Sequence, residues 1–211
     1  MNRAPLIRIR SMTENMNEKL IRSETTAERT RLTDLLAGLT EEQWATPSLC
    51  AGWRVREVAA HLSMPFRLSV PQFLFGVVSN GFRFDRFADR RARADTESLS
   101  DAQLLAVLRN NIDTDWRPPG GGVVGALSHD VIHGLDITEP LGLPAVPPER
   151  IRIVLDNAGE RNLSHFGVDL TGSRLIADDV DLTLGDGPRE IRMSAKEMLL
   201  TVTKRAGGAV V

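Results

Sequence analysis

Cys50 is the only cysteine among 211 residues. That excludes an internal disulfide and a zinc site built from several thiolates, and it suits a reducing compartment. No sign of charge is in excess either: 26 basic and 28 acidic residues leave a formal net charge of -2. There is thus no broad cationic surface to hold a phosphate backbone or an anionic membrane. Long apolar runs are missing as well. The most apolar stretch, residues 68–78, is broken by Pro71, Gln72 and Gly76 and is far shorter than the ~20 residues of a membrane span. The first ten residues carry three arginines but no apolar run of the kind that makes a signal peptide. Gly120-Gly121-Gly122 lacks a following lysine and does not follow a strand, so it is not a phosphate loop. Internal repeats and low-complexity tracts are absent. These absences argue against nucleic acid and membrane as partners and lead us to expect a cytoplasmic protein.

What is present is ordinary soluble composition, 42% hydrophobic and 26% charged, enough for one core and a small second unit. Ala27, Leu32, Leu35, Leu36 and Leu39 recur at helical spacing and predict a first helix from Thr25. Residues before Arg22 read as an unassigned tail. Thr40-Glu41-Glu42-Gln43 has the form of a capping box and opens a short helix with Trp44. After a loop over residues 47–53, Val55, Val58, Ala59 and Leu62 predict a helix that stops before Pro65. Residues 71–94 read as one helix that turns strongly charged toward its end, with Gly81 as a point where it can break. Ser100 to Gln103 is a second capping box. The Pro118 to Gly122 interruption precedes a helix from about Val123 to Leu141 with Gly142 as its stop.

Beyond a linker at residues 144–148, one more helix is expected over Glu149 to Leu163, and then the pattern changes. Residues 174–177, 180–184 and 189–193 read as strands of a small meander around Gly185-Asp186-Gly187. Ser194 to Glu197 is a third capping box before a last helix. The expected division is a tail over 1–22, a helical bundle over 23–145, and a small α+β C-terminal domain over 146–211. The fold class is mainly α.

Three histidines carry the chemistry. His129 and His133 are four residues apart on one predicted helix, so both imidazoles project from the same face. A catalytic zinc takes three protein nitrogens and keeps an open position, and His61, on an earlier helix beside Val58 and Leu62, is the candidate third ligand. A pair at this spacing also occurs on plain helix surfaces, and His61 by itself fits a satisfied core histidine. One pattern favours a metal: Leu127, Val131 and Leu135 lie nearly opposite the pair, while Ala126 and Ile137 flank it, which suits a helix packed all round. Asp136, one turn after His133, is the candidate catalytic residue. It would orient a ligand imidazole or touch substrate, its alternative being an exposed helix acid. Cys50 reads as a small packing residue, and His165 receives no role.

The segment Trp44-Ala45-Thr46-Pro47-Ser48-Leu49-Cys50-Ala51-Gly52-Trp53, leading into Val55 to Leu62, resembles the N-terminal signature of the mycothiol-dependent maleylpyruvate isomerase family, a branch of the DinB-like bundles. His133-Gly134-Leu135-Asp136-Ile137 with Leu141-Gly142 is similar to that family's third-ligand helix, and residues 175–200 resemble its small C-terminal domain. The resemblance implies a DinB-like four-helix bundle with ligands at His61, His129 and His133. It also implies mycothiol as cosubstrate in an actinobacterial cytoplasm. Position 129 departs from the isomerase branch, where a glutamate stands, and agrees with the all-histidine DinB-like members.

The expectation is a metal-dependent mycothiol transferase or isomerase acting on a small electrophile, with zinc or nickel as the divalent ion. Two rivals use the same site: a metal-dependent hydrolase, and a noncatalytic, stress-related metal-binding bundle. A homodimer is compatible with each.

Overall fold

The computed structural model describes residues 4–157 and 169–205, with side chains from residue 15 onward. His165 and the end of the helix expected to Leu163 lie outside the described residues. α1 runs from Ala4 to Ala37, so the segment read from sequence as a tail over residues 1–22 is helical from Ala4. The reason is local composition. After Pro5, which sits in the first turn where a missing N–H costs nothing, no glycine or proline interrupts the chain until Gly38. Side chains of the extension are also anchored, with Ile21 fully buried and Glu18 paired with Arg117.

The chain packs as two compact units: Arg29–Trp116 with Asp130–Val146, and Met1–Glu28 with Arg117–His129 and Pro147–Val211. The first contains α2 (Glu41–Trp44), α3 (Val55–Ser63), a single 3₁₀ turn (Met64–Phe66), α4 (Val70–Ser79), α5 (Phe84–Ser98) and α6 (Asp101–Arg109). It also holds the greater part of α7 (Gly125–Leu141). α3 lies at its centre, packed against α5 and α6. Its Val55, Val58, Ala59 and Leu62 join Leu36, Trp44 and Ile137 in one apolar cluster, while Ala60 meets Ala92 and Leu104 on the other side.

Residues 71–94 do not form one helix. The chain turns at Gly81 and Phe82, both with positive φ, and α4 folds back on α5. Gly76 makes the approach possible, since a Cβ there would sit 2.2 Å from the Phe87 ring.

The start of α3 is fixed electrostatically. The buried Glu57 carboxylate accepts from the Arg54 amide at 2.8 Å, from Arg54 Nε at 3.0 Å and from the Thr96 hydroxyl at 3.0 Å. Burial alone would raise the Glu57 pKa, but these bonds and the Arg54 charge outweigh it and hold the carboxyl below its ordinary value. Arg29 is likewise buried, with Nε 2.7 Å from Asp130 Oδ2 and Nη1 2.8 Å from the Thr114 carbonyl.

In the other unit, α8 (Pro148–Asp156) packs against α9 (Ala195–Val202), and α9 touches a three-stranded sheet. Arg150 bonds Glu24 at 2.8 Å and Glu28 at 2.7 Å. The sheet is not the expected meander. Its order is β2 (Thr183–Leu184), β1 (Ser173–Ala177), β3 (Arg189–Met193), with β2 antiparallel and β3 parallel to β1. After β2 the chain crosses the start of β1. The crossing is so tight that a Cβ on Gly187 would lie 2.0 Å from the Gly172 carbonyl carbon, a path open only to glycine.

Candidate metal centre

α7 is packed on nearly every side. Leu127, Val131 and Leu135 are buried, and so are Ala126, Asp130, Asp136, Ile137 and Thr138. A helix in that environment carries its remaining polar side chains into partnered positions or leaves buried groups unsatisfied. His129 and His133 are half-buried on α7, and the buried His61 comes from the last turn of α3. One ligand nitrogen from each of the three lies within 4.8 Å of the others. The His61 and His133 rings meet edge to face at 4.7 Å.

His133 is oriented by its neighbour one turn on: Nδ1 lies 2.8 Å from Asp136 Oδ2. A carboxylate can only accept, so Nδ1 carries the proton and the Nε2 lone pair is left for a cation. Asp136, which sequence alone leaves between an orienting role and an exposed acid, is fully buried.

The loop over residues 47–53 closes on the same carboxylate. It is tied across its base by a bridge between Pro47 and Arg54 and by the Trp53 amide donating to the Cys50 carbonyl at 2.9 Å. It is tied to α7 by the Leu49 amide donating to the Asp136 carbonyl at 3.1 Å. Cys50 therefore sits with Sγ 3.0 Å from Asp136 Oδ2 and 3.9 Å from His133 Nδ1, so the thiol and the imidazole share one carboxylate oxygen. From sequence alone Cys50 reads as a packing residue. It does pack against the Leu36 cluster, but its thiol also belongs to the shell around His133.

Trp53 was missed in the same way. Its ring stands 5.3 Å from that of His61, and its Nε1 donates to Asp89 at 2.8 Å, which ties the backing of one histidine to α5. The signal available in sequence was contiguity, because Cys50 and Trp53 lie in the same signature segment as the approach to His61.

Three imidazoles form a donor set suited to a borderline divalent cation. Zinc binds such nitrogens at about 2.0–2.1 Å, and nickel also accepts them. The residues present therefore fit a bound ion, and the Asp136 carboxylate 2.8 Å from His133 Nδ1 is the kind of partner that orients a ligating imidazole.

Residues 25–137, more than half of the chain, match the family model of the mycothiol maleylpyruvate isomerase N-terminal domain. The chain belongs to the mycothiol maleylpyruvate isomerase family. Its fold is similar to two crystal structures of the mycothiol-dependent maleylpyruvate isomerase. One is of a histidine-to-alanine mutant, with a TM-score of 0.58 at 13% identity, covering 91% of this chain and 90% of that one. The other has a TM-score of 0.54 at 13% identity, with coverage of 92% and 90%. At such identity the likeness concerns the fold: mainly helical, with a small sheet near the C-terminus. None of the curated proteins matches the chain. Among the described residues of this family member, no helix is long and apolar enough to cross a membrane.

Proposed function

We propose that the chain is a metalloenzyme that delivers a low-molecular-weight thiol, mycothiol, to a small electrophilic substrate, for transfer or isomerisation. His61, His129 and His133 would hold one divalent cation, zinc in the first instance. The observation that carries the reading is the mutual approach of three imidazole nitrogens to within 4.8 Å in a member of this family. When bound, the cation acts as a Lewis acid that lowers the pKa of a coordinated thiol.

The chain's own residues do the rest. Asp136 keeps the proton of His133 on Nδ1, and the Cys50 thiol restrains the same oxygen. Trp53, backed by Asp89, limits the tilt of His61. In the reaction the thiol proton leaves to solvent and the sulfur adds to an activated carbon–carbon double bond of the electrophile, whose π pair shifts into the adjoining carbonyl as an enolate and then takes a proton from solvent at carbon. Transfer ends at that adduct, and isomerisation releases the thiol again by elimination.

Elemental analysis of protein purified without added metal, followed by a conjugation screen with and without mycothiol, tests the reading. The wild type should carry about one ion per chain and turn over only with thiol, and His133→Ala should lose both properties. Full metal occupancy in His133→Ala would refute the ligand assignment. Turnover of esters or amides that ignores the thiol would move the chain to the hydrolases, and a loaded protein inert in both screens would make it a noncatalytic metal binder.

A further inference from the structure

α4 presents two apolar faces. Its inner face packs on α5, where Phe73 and Phe84 lie 5.8 and 6.5 Å from the Phe87 ring. Val70, Leu74, Phe75 and Val78 occupy the outer face and are exposed. Residues 70–81 contain no charged side chain. A helix apolar on all sides belongs in an interior, yet Phe75 is 74% exposed and Val70 72%.

The turn after α4 continues the pattern. Phe82 is 77% exposed and sits at φ 59°, a conformation that strains a bulky side chain. Beside this ridge runs a groove of about 360 Å³ between α4 and α5, with Leu68, Gln72, Phe75, Gly76, Phe87 and Arg90 among its walls.

The size of the patch says what covers it. At ~150–250 Å² per phenylalanine, the exposed fractions of Phe75, Phe82 and Phe84 with Val70, Leu74 and Val78 amount to roughly 600–700 Å² of apolar surface. That exceeds the ~300–600 Å² of the largest patch on a typical monomer and approaches the ~800 Å² per partner of a standard interface. The rim carries both signs, with Asp85 between Arg83 and Arg86, all exposed. A rim of mixed sign allows a twofold-related copy to set opposite charges against one another, since residue i of one copy meets residue j of the other and j meets i. An anionic lipid surface would instead select for basic residues alone.

We propose that α4 and the α4–α5 turn form the interface of a homodimer, the ridge of each copy entering the groove of the other across a twofold axis. The proposal stands independently of the metal centre. Sedimentation of the full-length wild type at micromolar concentration should give twice the 23.2 kDa chain mass. Phe75→Glu and Phe82→Glu should each raise the dimer dissociation constant on the order of 100-fold, with an unchanged circular dichroism spectrum and unchanged metal content. Phe82→Gly, which relieves the positive φ, should weaken the dimer without lowering the unfolding temperature of the monomer. A wild type that stays monomeric at a hundred micromolar overturns the proposal, as does a dimer indifferent to these substitutions. A monomer that binds phosphatidylglycerol vesicles through the same phenylalanines also overturns it and assigns the face to lipid.

Discussion

Asp136→Asn isolates what the buried carboxylate contributes to the metal centre. Oδ2 accepts from His133 Nδ1 at 2.8 Å and from Cys50 Sγ at 3.0 Å, and the residue is fully buried. The amide oxygen of asparagine can take the place of Oδ2, so shape and acceptor survive while the charge is lost. A hydrogen bond to a charged group contributes about 1.5–3 kcal/mol and a neutral one about 0.5–1.5. The imidazole is therefore held less firmly by about 1–1.5 kcal/mol, and its ligating nitrogen becomes less basic.

At about 1.4 kcal/mol per tenfold, the cation should bind roughly 10-fold more weakly, at the lower edge of the ~10–100-fold seen when outer-shell partners of ligating histidines are changed. Competition against a chromophoric chelator reads the affinity, and circular dichroism of the metal-free protein checks that the fold survives. Cys50→Ser retains a donor to the same oxygen and should stay close to wild type. An affinity of Asp136→Asn within a factor of two of wild type, alongside a dead His133→Ala, would show that the carboxylate does not tune the ligand.

Three further outcomes follow from the packing. Glu57→Gln should lower stability at neutral pH by about 2–3 kcal/mol, less than the ~3–5 of a fully buried broken pair because the Arg54 side chain is 46% exposed. Since the folded-state pKa of Glu57 lies below its unfolded value, the wild-type advantage is present above the unfolded value and fades as pH falls through the folded one. Thermal melts of both proteins from pH 7 down to pH 3 should therefore converge, and a constant gap refutes the electrostatic account. Asp130→Ala strands the buried Arg29 guanidinium and should cost about 3–5 kcal/mol in urea unfolding; a loss below about 1 kcal/mol means the pair is dispensable. Gly76→Ala gains about 1 kcal/mol of helix propensity, yet should still destabilise by about 1–2 kcal/mol because its Cβ meets the Phe87 ring. A rise in melting temperature would show that α4 does not pack on α5 as described.

Local chemistry was legible from sequence. The boxes at Thr40, Ser100 and Ser194 are formed, each side chain accepting from the backbone three positions on, because a cap needs only four consecutive residues. The Ser69 and Gln72 pair makes a fourth, hidden in an apolar run that reads as mid-helix. The His129 and His133 spacing is helical arithmetic, and the packing of α7 on nearly every side follows from the apolar residues around the pair.

What sequence left open depends on contacts between distant segments. The Cys50 thiol meets a carboxylate 86 residues away, and no spacing rule spans a loop closure of that length. Period-two alternation identified the strands but not their partners, so the parallel pairing of β1 with β3 came only with the glycine crossing at Gly187. Likewise, apolar residues on both faces of α4 are written in the chain, but which face α5 covers is decided by tertiary packing. Local rules fix how a segment folds upon itself. Convergence of side chains, and which apolar surface stays uncovered, are properties of the assembled tertiary structure.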